Sequence, residues 1–157
     1  MSHEEDAQRV TIKRKRKASS SSKGLFKPLH PEKYMGDPNK IRFLSSWELR
    51  FMTICDLNPN VLQWGSEEFR VKYFNPIKQK VCDYIPDFII KYQNTKGELI
   101  TEVIEIKPKK QTVQGKNASM YDRVALAINY AKWAAAKTVC ESHGIKFRVA
   151  TEQDLFR

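Results

Sequence analysis

Cysteine and histidine are scarce in this chain, three of each in 157 residues. Cys55, Cys82 and Cys140 are too few and too scattered for a disulfide framework or a thiolate zinc site, so reduced, buried thiols are expected. The dispersed histidines argue against a histidine-built metal centre. No apolar run approaches the ~20 residues that span a bilayer, so no membrane partner is expected. The opening stretch, MSHEEDAQRV, lacks an apolar segment of the signal-peptide kind, and nothing there indicates secretion. Acidic charge is also in deficit. Asp and Glu number 18 against 28 Lys and Arg, leaving +10 at neutral pH. Residues 1–24 hold seven basic and three acidic residues, and beyond them 21 basic residues still face 15 acidic ones. Positive charge is therefore a property of the whole chain, and it favours a polyanionic partner over a merely soluble basic protein.

What is present divides the chain in two. Residues 1–24 contain the basic run Lys13, Arg14, Lys15, Arg16, Lys17, then four serines, and too little apolar surface to offset the entropy of ordering. They read as a flexible basic arm. It either grips nucleic acid, docks on a protein partner, serves as a nuclear address or simply solubilises. Residues 25–157 read as a single domain, with 41% hydrophobic residues over the whole chain and enough length for a core.

The lead-in KPLHPEKYMGDPNK is rich in Pro and Gly and should be extended and turn-laden, with Asp37 a turn residue. Ser45 or Ser46 then caps a helix through WELRFMTICDL, which Asn58-Pro59 stops. Trp47, Phe51, Ile54 and Cys55, with Leu57 or Asn58 closing the next turn, approximate its apolar face, and Glu48 falls one position off that stripe. VLQWGSEEFRVKYFNP predicts one or two strands, QKVCDYIPDFIIKYQ a second and ELITEVIEIKP a third, with NTKGE as the hairpin turn. ASMYDRVALAINYAKWAAAKTVCESHG predicts a long helix ended by Gly144, and IKFRVATE a final strand.

Charged residues stand at the ends of these apolar strands. Alternation puts Glu105 and Lys107 on one face and Ile104 and Ile106 on the other. A hairpin centred near Lys96 sets Asp87 opposite Glu105, so an aspartate, a glutamate and a lysine converge at one sheet edge. A slip of one residue would undo this. The bland alternative is a cross-strand ion pair at the surface. Two neighbouring carboxylates repel, and a hard divalent cation relieves that repulsion. Mg2+ takes one or two carboxylates with water and phosphate oxygens, and Mn2+ is a possible substitute. A lysine beside them can orient or deprotonate a water and offset charge developing on phosphate, which is chemistry suited to phosphodiester hydrolysis.

PDF, followed 18 residues after its aspartate by E-I-K, resembles the PD-(D/E)xK nuclease signature, and the element order is similar to that superfamily's αβββαβ core. The resemblance implies an α+β, restriction-endonuclease-like fold, a mixed central sheet flanked by helices, with Asp87, Glu105 and Lys107 as its motif. A glutamate on the first helix often joins the site in that superfamily, and Glu48 occupies that place. YMGDPNKIRFLSSWE, QWGSE, YIPDF, IEIKPKKQT and GIKFRVATE together resemble the head completion nucleases of T-even-like tailed phages. This implies metal-dependent endonuclease activity on double-stranded DNA, processing packaged DNA before the tail attaches. It also implies capsid or portal-neck partners and a place in the virion or in the host cytoplasm during assembly. Lys109, Lys110 and Gln111 in the matching KPKKQT become candidates for strand contact. The arm lies outside the resemblance.

Other residues carry simpler readings beside functional ones. Trp47, Trp64 and Trp133 read as core residues before base-stacking platforms. Glu67 and Glu68 are either added metal ligands or solvated strand-edge acids. Lys116, Arg123, Lys132 and Lys137 either face phosphate or form the solvated side of the long helix. Asp83 and Tyr84 flank the site and are placed to position it. Against the nuclease stand a structural head-portal adaptor that keeps the fold without its chemistry, and a restriction or repair nuclease, which the small size disfavours.

Overall fold

The computed structural model of the chain describes residues 23–155, so the expected basic run Lys13–Lys17 lies outside the described residues. Two short strands, β1 (Gly24–Leu25) and β2 (Arg42–Phe43), pair with each other at the start of the domain. Between them the lead-in turns as expected, Asp37 accepting the Asn39 and Lys40 amides through its side chain and backbone carbonyl.

The first helix, α1 (Ser46–Leu57), starts as its sequence dictates. The Ser45 hydroxyl accepts the Glu48 amide, and Glu48 Oε2 in return accepts from the Leu44 amide and the Ser45 hydroxyl, each at 3.2 Å. This reciprocal cap satisfies donors that a helix start leaves orphaned. Its far end is closed by Lys33, whose Nζ donates to the carbonyls of Cys55, Asp56 and Asn58 at 2.6–2.9 Å.

The buried face of α1 differs from the predicted one. Phe51, Met52 and Cys55 are inside with Glu48 and Asp56, whereas Ile54 and Leu57 are 42% and 53% exposed. The cause is that both acids on the buried stripe have backbone partners. Glu48 is held by the cap, and Asp56 accepts the amides of Leu29 and His30 at 2.8 and 3.0 Å. A charged residue so satisfied can occupy a position that periodicity reserves for an apolar one.

The central sheet has four strands in the order β3 (Val61–Ser66), β6 (Phe88–Gln93), β7 (Leu99–Ile106), β8 (Lys146–Ala150). The first three are antiparallel and β8 joins β7 in parallel, so the sheet is mixed. The long helix α2 (Met120–Ser142) makes the connection to β8. Ser119 caps its start, and Gly144, at φ +69°, turns the chain after its end. A four-residue helix, α3 (Glu152–Leu155), follows.

One predicted strand is two. QKVCDYIPDFIIKYQ divides at Ile85-Pro86-Asp87 into β5 (Lys80–Tyr84) and β6, and among the described residues β5 pairs only with β4 (Val71–Asn75). That hairpin stands outside the central sheet, inserted between β3 and β6. Proline has no amide to offer a ladder, which accounts for the break.

Two apolar clusters sandwich the sheet. One joins α1 to Trp64, Phe88, Ile90, Ile104 and Ile106; the other joins α2 to the β4–β5 hairpin and Phe147. β7 is therefore covered on both faces, and every residue from Glu102 to Ile106 is buried. Trp64 is fully buried, Trp47 and Trp133 pack at cluster edges, and all three cysteines are free and buried. Among the described residues no helix is long and apolar enough to cross a membrane.

Candidate active site

The hairpin register decides which charges meet. β6 and β7 pair Phe88 with Ile104, Ile89 with Val103 and so on to Gln93 with Leu99, across a turn in which Gly97 takes φ +79°. Extending this ladder by one residue sets Asp87 opposite Glu105, on the face that alternation also gives to Lys107. Both acids are nearly sealed, Asp87 at 3% and Glu105 at 5% exposure, while Lys107 is half-buried.

Each acid is held by a named donor. Asp87 Oδ2 accepts the Ile106 amide at 2.9 Å, so its carboxylate ties the start of β6 to the end of β7. Glu105 Oε2 accepts the Tyr84 hydroxyl at 2.8 Å. Burial first, and the Glu105 charge second, push the Tyr84 phenol well above its ordinary range, which keeps it protonated and donating. Lys107 is fixed through its backbone, its amide donating to the Ala150 carbonyl at 2.9 Å.

Glu48 is placed differently. It lies at the start of α1, on the helix that packs over the Ile104–Ile106 side of β7, with Oε2 engaged in the cap. Among the described residues no three His, Cys, Asp or Glu side chains are grouped so as to hold a metal, so the geometry does not unite Glu48 with Asp87 and Glu105 in a three-acid set. What the register sets opposite one another is two hard carboxylates, Asp87 and Glu105. Such a pair fits a divalent ion that completes its shell with water and phosphate oxygens, and does not suit zinc.

Basic residues follow the site directly. Lys109, Lys110 and Gln111 form an exposed 3-10 turn. The Lys109 amide donates to the Glu152 carboxylate at 2.9 Å, a contact that holds the Glu152 carboxyl below its usual range. The Tyr130 hydroxyl donates to the Thr112 carbonyl at 2.7 Å, tying the same segment to α2. Lys116, Arg123 and Lys137 are exposed, whereas Lys132 is half-buried with Nζ 5.8 and 5.7 Å from the Tyr73 and Tyr84 ring centres. Lys132 is thus drawn inward by two aromatic faces instead of lying on a fully solvated one.

Glu67 and Glu68 border a cleft of about 260 Å³ with Tyr34, Asp37, Lys40 and Arg42. Glu67 adopts φ +57°, and its amide donates to the Asp87 carbonyl at 3.0 Å, so the cleft abuts the site's backbone. Glu68 lies so close over Gly36 that a Cβ there would meet its carboxylate at 2.3 Å. Glu102, on which no sequence motif falls, is buried opposite Ile90 and accepts from Tyr92 and Arg148.

A mixed sheet flanked by helices, with an acid pair and a lysine where β6 and β7 meet, defines an endonuclease-type fold. The family model described as TnsA-like endonuclease N terminal matches residues 58–152, and the chain belongs to that family. The chain is also similar to the "Head completion nuclease" of Enterobacteria phage T4, 36% identical over 142 residues that cover 84% of this chain and 92% of that protein. Asp87, Glu105 and Lys107 fall inside the segment matched by the family model, and Glu48 falls outside it.

Proposed function

We propose that this protein is a divalent-metal-dependent DNA endonuclease of phage head completion, acting on packaged double-stranded DNA before tail attachment. The observation that carries the reading is the β6–β7 register, which sets buried Asp87 against buried Glu105 with Lys107 on the same face. Mg2+, with Mn2+ as substitute, would be held by Asp87 and Glu105, and when bound it would polarise the scissile phosphate and acidify water. Lys107 orients or deprotonates the attacking water and offsets the charge that develops on phosphate. The exposed Lys109, Lys110, Lys116 and Arg123 grip backbone phosphates and set the duplex across the acid pair. Residues 25–157 act as one nuclease domain, and residues 1–24 as a basic arm that adds affinity.

The same reading places the protein at the head, against capsid or portal-neck proteins, in the virion or in the host cytoplasm during assembly. The test is plasmid nicking with purified protein in MgCl2, beside Glu105→Ala and beside excess EDTA. Cleavage by wild type alone, lost in both controls, is expected. Robust cleavage in excess chelator would overturn the metal-dependent reading. Loss of cleavage in Glu105→Ala with intact head completion would instead favour a structural adaptor.

A further inference from the structure

The site leans on a side chain from outside the central sheet. Tyr84 closes β5, three residues before Asp87, and its ring is buried among Val71, Tyr73, Cys82 and Ala136. Its hydroxyl donates to Glu105 Oε2 at 2.8 Å. Lys132, the residue before Trp133 on α2, rests 5.7 Å from the centre of the Tyr84 ring. The inserted hairpin thus reaches one carboxylate of the sheet, and the long helix holds the ring that reaches it.

From this geometry we propose that Tyr84 is a positioning residue for Glu105. It fixes the carboxylate for a divalent ion, with Lys132 pinning its ring. The inference rests on the reading of Asp87 and Glu105 as ion ligands. A glutamate at the end of a strand has rotatable bonds that must be frozen before it can serve as a ligand, and a charge-assisted hydrogen bond from a packed phenol freezes them in advance. Ligating carboxylates are commonly supported in this way, and losing the support typically costs about 10- to 100-fold in metal affinity or activity. The competing account is that Glu105 merely satisfies a buried hydroxyl.

Calorimetric titration of the full chain with MgCl2, repeated with MnCl2, separates the two. Tyr84→Phe keeps the ring, its packing and the Lys132 contact, and removes only the donor. It should weaken ion affinity by roughly 10- to 100-fold and lower kcat for cleavage at fixed Mg2+, while KM for DNA stays unchanged. Lys132→Met, which removes the cation over the ring and leaves the hydroxyl, should weaken ion affinity by less. Thermal melting without metal confirms that each variant is folded, and Lys132→Met carries the test alone if Tyr84→Phe does not fold. Wild-type ion affinity in Tyr84→Phe, or in Lys132→Met if it alone is folded, overturns the proposal. If Glu105→Gln weakens binding while Tyr84→Phe does not, only the positioning role fails. If wild type takes up neither ion, the metal-site reading fails and the positioning role with it.

Discussion

Asp87 has two jobs in this structure, and a pair of substitutions separates them. The register sets it opposite Glu105, and its Oδ2 accepts the buried Ile106 amide at 2.9 Å. The sequence alone suggests that Asp87→Ala should leave the fold intact and even stabilise it, because like charges would no longer repel. The hydrogen bond reverses that expectation. Asp87→Ala leaves a buried N–H without its partner, at a cost of about 1–3 kcal/mol. For a chain of this length each kcal/mol moves Tm by about 2–4 °C, so a fall of roughly 2–12 °C follows. Asp87→Asn removes the same charge but keeps an amide oxygen for Ile106, so relief of repulsion is common to both variants and cancels between them. Differential scanning calorimetry in EDTA should therefore rank Asp87→Asn above Asp87→Ala, while plasmid nicking finds both inactive. An Asp87→Ala protein that melts at or above Asp87→Asn would show that the Ile106 hydrogen bond contributes nothing to stability.

Lys107→Ala should lose cleavage yet keep Mg2+ affinity in calorimetry; cleavage at the wild-type rate would reduce the lysine to an ion-pair partner. Glu48→Ala should lower stability by about 1 kcal/mol through loss of the helix cap, measured by chemical denaturation. Glu48→Gln keeps a capping oxygen and should recover most of that loss, so cleavage by Glu48→Gln at the wild-type rate would remove Glu48 from the catalytic set. A truncation beginning at Gly24 should bind duplex DNA more weakly, with a log-log salt slope shallower by ~0.9 for each lost phosphate contact, and still cleave at saturating DNA. An unchanged slope would assign the arm to partner docking.

Local signals carried much of this fold. Ser45 and Gly144 mark helix ends because capping and positive φ are decided by neighbouring residues. The β6–β7 register followed from alternation and a short glycine turn, and it alone was enough to set Asp87 opposite Glu105. What stayed hidden depends on distant partners. Glu48 and Asp56 are buried on α1, the latter because amides 26 and 27 residues away satisfy it. Glu102 is buried because Arg148, 46 residues on, reaches it. Lys132 turns inward where the hairpin brings two tyrosine rings over α2. The bond from Tyr84 to Glu105 required knowing that the strand breaks at Pro86, which turns β5 out of the sheet and over its face.

If Asp87 and Glu105 together hold a divalent ion, anomalous diffraction from crystals of the full chain soaked in MnCl2 should show it. A single strong peak coordinated by both carboxylates is expected, lost in crystals of Glu105→Gln. A peak confined to the cleft of Asp37, Glu67 and Glu68, or none beside Asp87 in crystals that retain cleavage activity on dissolution, would contradict it.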